Sequence, residues 1–387
     1  MIRRRGVSAV GNSEDASTWS GTSHYLLQAG RERGFLHNGL DLRIQNLSRK
    51  RFFWHVNQLF HGQRPRGFQY GRSFLDGLAR KAVQECERLE LQEVISHYQV
   101  LPARYLLEHS IRTVFYIDTT LQALFATHRM FGWLNRRVAE EAIERERAEY
   151  QSASRIITMA SWVRGSLLQT YGIHGEQVHT VLPGANLPEN LVCQRLIKNG
   201  PTTTPDRFTA DRPLRLGFIG KDWKRKGLER LVSAVEILNR KGIPAEIVSI
   251  GNVPSEFRHH NFVRPTGLID KSRDIQRFMQ IVESCDVGCV PSHEEPMGIA
   301  PLEFLRLGIP VLCTAAGGLS DVCEAAGQAS VLLGQDATAE EIAAELEVLA
   351  RQPDCLQRMR AVAWQRKEHF SWDRAVRELQ EIWNPGR

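Results

Sequence analysis

The chain has 387 residues, 50 of them basic and 44 acidic, for a net charge of +6 and a pI of about 9.0. Hydrophobic residues make up 42% and charged residues 24%, which excludes a disordered or fibrous chain and leaves room for two cores at ~100–200 residues per domain. No apolar run approaches the ~18–20 residues of a membrane span, and no apolar stretch follows the basic start M-I-R-R-R, so a cytoplasmic protein without a cleaved leader is expected.

In the first half, strands are predicted at 7–10, 40–47, 92–96, 112–117, 155–159 and 178–182. Helices are predicted at 22–33, 72–89, 119–128, 133–151 and 161–171. Between them runs a basic and aromatic stretch, residues 49–72, R-K-R-F-F-W-H-V-N-Q-L-F-H-G-Q-R-P-R-G-F-Q-Y-G-R. Such a segment suits an anionic membrane interface, and it equally suits a helix and loop packed on the domain with solvated arginines. Residues 198–213 hold three prolines and almost no apolar residue, so 188–213 reads as a linker or hinge. The second half alternates more cleanly. Strands are expected at 214–220, 245–251, around D-V-G-C-V-P and at 309–313; helices at 227–241, 271–284, 299–307 and 371–383. Strands apolar on both faces, alternating with helices, define parallel sheets covered on both sides. The expected fold is therefore α/β, two Rossmann-like doubly wound domains facing each other. The expected boundaries are 1–187, a linker at 188–213, 214–365, and a C-terminal helix at 366–387 crossing back to the first domain. Ligands in such sheets sit outside the carboxyl ends of the strands, and a cleft between two domains is the expected site.

Seven cysteines without a C-x-x-C pair read as buried reduced thiols, and no zinc-ligand spacing is present. The strongest chemical signal is H-E-E-P-M-G-I-A-P-L-E-F-L-R-L-G-I-P-V, residues 293–311. Glu295 falls in a loop before a helix that starts after Gly298, and Glu303 falls in that helix's second turn. The opening amides and positive dipole of the helix suit a phosphate. A carboxylate there can accept hydrogen bonds from adjacent hydroxyls, so Glu303 suits a ribose and Glu295 a sugar. The second signal is L-G-F-I-G-K-D-W-K-R-K-G, residues 216–227, where a strand runs into a loop carrying Lys221, Lys224, Arg225 and Lys226. One or two of these cations can face a diphosphate while the rest are solvated; Lys226 and Lys221 are the favoured pair.

These motifs make residues 214–330 resemble the donor-binding domain of retaining glycosyltransferases of family 4, which have the GT-B architecture. The resemblance implies that the E-x7-E pair, Glu295 and Glu303, contacts the donor sugar and ribose. It implies that Lys221 and Lys226 hold the diphosphate, beside Met297, Gly298 and Ile299. V-R-P-T-G-L (263–268), with Thr266, resembles the stretch against the base. A-A-G-G-L-S-D-V (315–322) resembles the family's Gly-rich loop, with Asp321 where Glu is common. In the first half the resemblance is thinner. The loop 12–25 sits where the family places a glycine-rich loop under the diphosphate, and Gly21 would permit close backbone approach; an ordinary helix-capping loop with Ser20 as cap is the alternative. Asp118 stands where the family often has His. At the carboxyl end of its strand it suits orienting or deprotonating an acceptor hydroxyl, or capping the next helix. His97 is a second candidate.

The implied activity is transfer of a hexosyl group from a UDP- or GDP-sugar to a saccharide or lipid-linked acceptor, with retention. Lys226 and Glu295 would act at the reaction centre, with no metal and no cofactor beyond the co-substrate. Peripheral contact with an anionic membrane at its inner face is a further expectation. Nucleic-acid binding is favoured only by the charge and the 49–72 stretch, and it leaves the glutamates unexplained; no nucleic-acid partner is expected. A catalytically silent sugar-nucleotide-binding module and an epimerase are the remaining alternatives.

Overall fold

In the first unit the strands are β1 (Arg5–Ser8), β2 (Asn38–Gly39), β3 (Glu93–Ser96), β4 (Arg112–Ile117), β5 (Arg155–Thr158) and β6 (Val178–Thr180). They form one parallel six-stranded sheet in the order β2-β1-β3-β4-β5-β6. The second unit holds β7 (Leu214–Gly220), β8 (Ala245–Gly251), β9 (Val263–Gly267), β10 (Val287–Val290), β11 (Val311–Thr314) and β12 (Ser330–Leu333). These form a second parallel six-stranded sheet, in the order β12-β11-β10-β7-β8-β9. The computed structural model describes residues 3–44, 47–60, 67–127, 134, 136–200 and 203–384.

The central strands are buried along their length because helices cover both faces. All seven residues of A-E-I-V-S-I-G in β8 are buried, as are five of the six in β4. The helix Leu228–Arg240 lays Leu228, Leu231, Val232, Val235 and Leu238 into the second core at helical spacing, where they meet Leu216, Phe218 and Ile247. Cys86, Cys285, Cys289, Cys313 and Cys323 are buried single thiols, and none of the seven cysteines is in a disulfide. Burial pushes the Cys86 and Cys285 thiols up to about 12.

The chain divides at Leu182/Pro183, and Ala375–Arg387 group with Met1–Leu182. Within that first unit Trp383 donates its indole N–H to Glu93 at 2.7 Å, and Glu93 also takes Arg5 at 2.7 Å.

Two local readings differ from the structure. Among the described residues of 40–47 there is no strand: Asn38–Gly39 pair with β1, which itself ends at Ser8, Asp41 makes one isolated bridge to Asn12, and Leu47 opens a helix. The Arg43 amide then bonds the Asp41 carboxylate at 3.1 Å, a turn that ends extension before the helix Leu47–Phe60. The stretch 188–213 is not an open tether either. It contains the helix Glu189–Asn199, whose Val192 and Leu196 are buried one turn apart. Arg195 of that helix pairs with Glu283 at 2.5 Å, and Phe208 enters the second core. The polar tail of this segment hid the apolar pair at its start.

Candidate active site

Both strand orders reverse direction once. In the second sheet β7 is followed on one side by β8 and β9, and on the other by β10, β11 and β12. The loops leaving β7 and β10 therefore start side by side at the sheet's carboxyl edge, the place where such sheets bind ligands. These are the two loops that carry the basic run and the first glutamate. A backbone bond from the His293 amide to the Arg225 carbonyl, 2.9 Å, ties them together.

Lys226 meets Glu295 in a direct ion pair across this junction. The Arg225 guanidinium lies 3.3 Å from the same carboxylate oxygen, Oε2, and the Ser292 hydroxyl donates to it at 3.3 Å. All three contacts fall on Oε2, and among the described residues none falls on Oε1. Burial by itself raises the Glu295 carboxyl; the charges of Lys226 and Arg225 more than offset that and hold it below the ordinary carboxylate range. Glu295 is thus an ionised group at neutral pH with two cations against it, and Arg225 is shared with Asp222 at 3.6 Å.

The backbone at Glu295–Met297 is held by the A-A-G-G loop after β11. Gly317 has φ +52, and a Cβ there would lie 1.8 Å from the Glu295 carbonyl oxygen. The Gly318 amide donates to the Pro296 carbonyl at 3.2 Å. Only glycine permits this approach, so the loop fixes where Glu295 sits. Gly298 caps the helix Ile299–Arg306 in a left-handed conformation, and the opening amides of that helix face away from its own hydrogen-bond ladder. Met297 is buried beside it, and Ile299 is half-buried. Asp321 lies in the first turn of the following helix, Leu319–Ala326.

Glu303 is 2% exposed, in the second turn of the Ile299–Arg306 helix. Its Oε1 accepts a 2.5 Å bond from Lys271, the first residue of the helix Lys271–Glu283. The same ammonium donates to the Asn186 carbonyl at 3.3 Å and stands 5.0 Å from the Phe278 ring centre. Asn186 in turn accepts from the Trp372 indole at 3.1 Å. Burial pushes the Glu303 carboxyl above its ordinary value in spite of Lys271. Lys271 was not among the expected site residues. The available signal was Glu303 itself, since a carboxylate flanked by P-L and F-L-R-L must be buried and a buried carboxylate needs a cation.

The structure brings Lys226, Glu295, Gly298 and Glu303 to one edge of the second sheet, with Arg225 beside Lys226 on Glu295. Lys221 is exposed, and its carbonyl accepts from Asn252 at 3.1 Å. It sits one residue past β7, at the carboxyl end of that strand. Thr266 lies on the edge strand β9 and donates its hydroxyl to the Ser249 carbonyl at 3.1 Å.

In the first unit the switch point lies between β1 and β3, and the loops after those strands meet there too. Trp19, Ser20 and Gly21 all have positive φ, at 47°, 59° and 90°. Gly21, not Ser20, is the N-cap of the helix Thr22–Glu32, and a Cβ at Gly21 would lie 2.9 Å from the Tyr25 ring. The run presents Trp19 against His97, ring centres 4.6 Å apart. His97 is buried; its Nδ1–H donates to the Tyr116 carbonyl at 2.7 Å, and its Nε2 has no partner among the described residues. Asp118 follows directly on β4, ahead of Thr119 and Thr120 and the helix Leu121–Thr127. That helix is anchored from below: both oxygens of fully buried Glu146 accept the Leu121 amide, at 2.9 and 3.0 Å, and take the Tyr150 and Tyr171 hydroxyls. Burial raises the Glu146 carboxyl to about 8, although those donors pull it the other way.

Burial lowers His97 to about 4, with the Tyr116 carbonyl opposing. The fold therefore refuses a proton that the unfolded chain accepts below about 6.5. Above pH 6.5 His97 contributes nothing to pH dependence; between 6.5 and 4 stability should fall as pH drops, by about 3 kcal/mol in all. Thermal melts of wild type and His97→Gln across pH 4–8 check this, with a flatter acid limb expected in the variant.

Comparison with known proteins agrees with this geometry. Residues 204–366 match the family model described as Glycosyl transferases group 1. A D-inositol 3-phosphate glycosyltransferase of Gordonia bronchialis is 27% identical over 249 residues, covering 60% of this chain. The chain spans about half, 52%, of that relative's length. Among solved structures, sucrose-phosphate synthase of Thermosynechococcus elongatus superposes with a TM-score of 0.69 at 15% identity, over 100% of this chain and 99% of that one. Anabaena HepE in complex with UDP-glucose gives 0.62 at 15% identity over 100% of both chains. The fold is that of these two-sheet GT-B enzymes. The family model thus covers the second unit's sheet and not the first, and the chain is similar to glycosyl transferases group 1 over that stretch.

Proposed function

We propose that the chain transfers a hexosyl group from a UDP- or GDP-sugar to a hydroxyl of a saccharide or lipid-linked acceptor, with retention and without a metal. The observation that carries this reading is the Lys226–Glu295–Arg225 junction over the switch point of a group 1 domain, beside the N-terminus of the Ile299–Arg306 helix. Cations and oriented amides at one place are what a diphosphate leaving group requires. HepE, solved with UDP-glucose, shares the fold and makes a UDP-sugar the first donor to test.

In this reading Lys226, Arg225 and the helix amides neutralise the diphosphate, and they supply the charge a metal would otherwise bring. Glu303, fixed by Lys271 through one oxygen, offers the other to the ribose hydroxyls. Glu295, fixed through Oε2, offers Oε1 to the sugar. The bond from the anomeric carbon to the diphosphate oxygen breaks as the acceptor oxygen attacks the same face, and the departing phosphate takes the acceptor's proton. On the first unit, Asp118 and the bare Nε2 of His97 are the groups proposed to orient the acceptor hydroxyl. Thr266 is assigned to the base, and Gly21 to backbone approach to the phosphates.

The test is nucleoside diphosphate release from a panel of UDP-, GDP- and ADP-sugars, with and without a chelator, and the anomeric configuration of the product read by NMR. Release from one donor class, retained configuration and indifference to chelation are expected. Binding without transfer or slow hydrolysis would mean a silent sugar-nucleotide module instead.

A further inference from the structure

The helix Leu47–Phe60 is amphipathic the wrong way round for a soluble protein. Phe52 is 62% exposed, Phe53 70%, Leu59 60% and Phe60 86%. With half-buried Val56 they occupy positions i, i+1, i+4, i+7 and i+8, a single stripe about 12 Å long. The inward side is carried by Trp54, whose ring meets Phe68 at 5.9 Å; Phe68 meets buried Phe74 at 5.5 Å. The helix is thus anchored to the first unit by one face while its apolar stripe points out. Four exposed large apolar side chains on one helix face mark an interaction surface rather than scattered surface residues.

Charge identifies the partner. From residue 42 to residue 75 the sequence has seven basic residues, at 43, 49, 50, 51, 64, 66 and 72, and no acidic one. That exceeds the net +6 of the whole chain, so the rest of the protein is close to neutral. Arg49 lies one turn before Phe52 and Phe53 on the stripe, and Arg51 lies in the same turn on another face of the helix; both are exposed. Two copies pairing through this face would bring their cations together, which disfavours a homodimer. A surface with an apolar interior under a negatively charged skin satisfies both features at once. Phenylalanines enter it while arginines reach its phosphates with their stems along the apolar layer.

We propose that the Leu47–Phe60 helix docks the protein on an anionic phospholipid bilayer, lying in the interface with Phe52, Phe53, Leu59 and Phe60 immersed. This docking is independent of the sugar-transfer reading, because it uses none of the second unit's residues.

The experiment is co-sedimentation of the full chain with vesicles of phosphatidylcholine alone and of phosphatidylcholine mixed with phosphatidylglycerol. Binding is expected on the anionic vesicles, weakened by salt. Phe53→Ser and Phe60→Ser should each lower partitioning at least ~10-fold, and Arg49→Gln and Arg51→Gln about 5-fold each. These side chains are exposed, so thermal melting should not move. A second readout is Phe60→Trp, whose emission should shift to the blue on anionic vesicles and be quenched by lipid brominated in the acyl chain. Equal sedimentation with neutral vesicles overturns the proposal. So does binding to anionic vesicles or nucleic acid that ignores the phenylalanines, or a mass doubling in solution that Phe53→Ser abolishes.

Discussion

Replacing Lys226 by methionine should lower turnover of a nucleotide sugar by about 100- to 1,000-fold, the loss typical when one preorganised group at a developing negative charge is removed. Lys226 is the better placed of the two cations on Glu295, forming the direct pair at the junction of the β7 and β10 loops. The fold should tolerate the change, because Arg225 and Ser292 remain on the carboxylate at 3.3 Å. The replacement is nearly isosteric, so a steady-state assay alongside a melting curve separates lost chemistry from lost structure. Turnover within about threefold of wild type would remove Lys226 from the proposed leaving-group site.

The second large effect concerns Glu303 and Lys271, and it separates binding from stability. Glu303→Ala should weaken nucleotide-sugar binding by roughly 10- to 100-fold, the worth of charge-assisted hydrogen bonds to a ribose diol. Lys271→Met should instead act on the fold. It leaves a carboxylate that is 2% exposed without its cation, at a cost of about 3–5 kcal/mol. Combining Lys271→Met with Glu303→Gln removes the stranded charge and should recover a large part of that stability, while donor affinity stays low. Chemical denaturation of the two single variants and the double checks the coupling; additive losses would mean the pair is not the unit described here.

Much of this site is legible in the sequence because its pieces are local. The spacing of Glu295 and Glu303 around Gly298 is a loop-to-helix transition that any reader of capping rules can place. The strand before the basic loop is an apolar run ending in glycine, and β7 matches it from Leu214 to Gly220. What sequence does not show is which side chains meet across loops. Four basic residues lie within six positions, and only the β7–β10 junction decides that Arg225 and Lys226 face Glu295 while Lys221 remains exposed. Lys271 comes from a helix 32 residues before Glu303 and carries no motif of its own.

The segment 188–213 failed for a related reason. Composition at its end, rich in proline and threonine, outweighed the short apolar pair Val192 and Leu196 that is buried at its start. Residues 40–44 failed for want of a partner: the alternation L-D-L-R-I promises a strand, but β1 ends at Ser8 and pairs with Asn38–Gly39. The outward face of the Leu47–Phe60 helix was legible only as composition. Its periodicity is that of a buried helix, and the direction in which the stripe points is a tertiary fact.

A structure of the protein with a nucleoside diphosphate sugar bound tests the central claim most directly. The predicted complex has diphosphate oxygens against the Lys226 ammonium and the amides of Ile299 and Ala300, and the ribose hydroxyls on Glu303. A diphosphate lodged elsewhere on the second unit, with Glu295 and Glu303 still closed on Lys226 and Lys271, would contradict it.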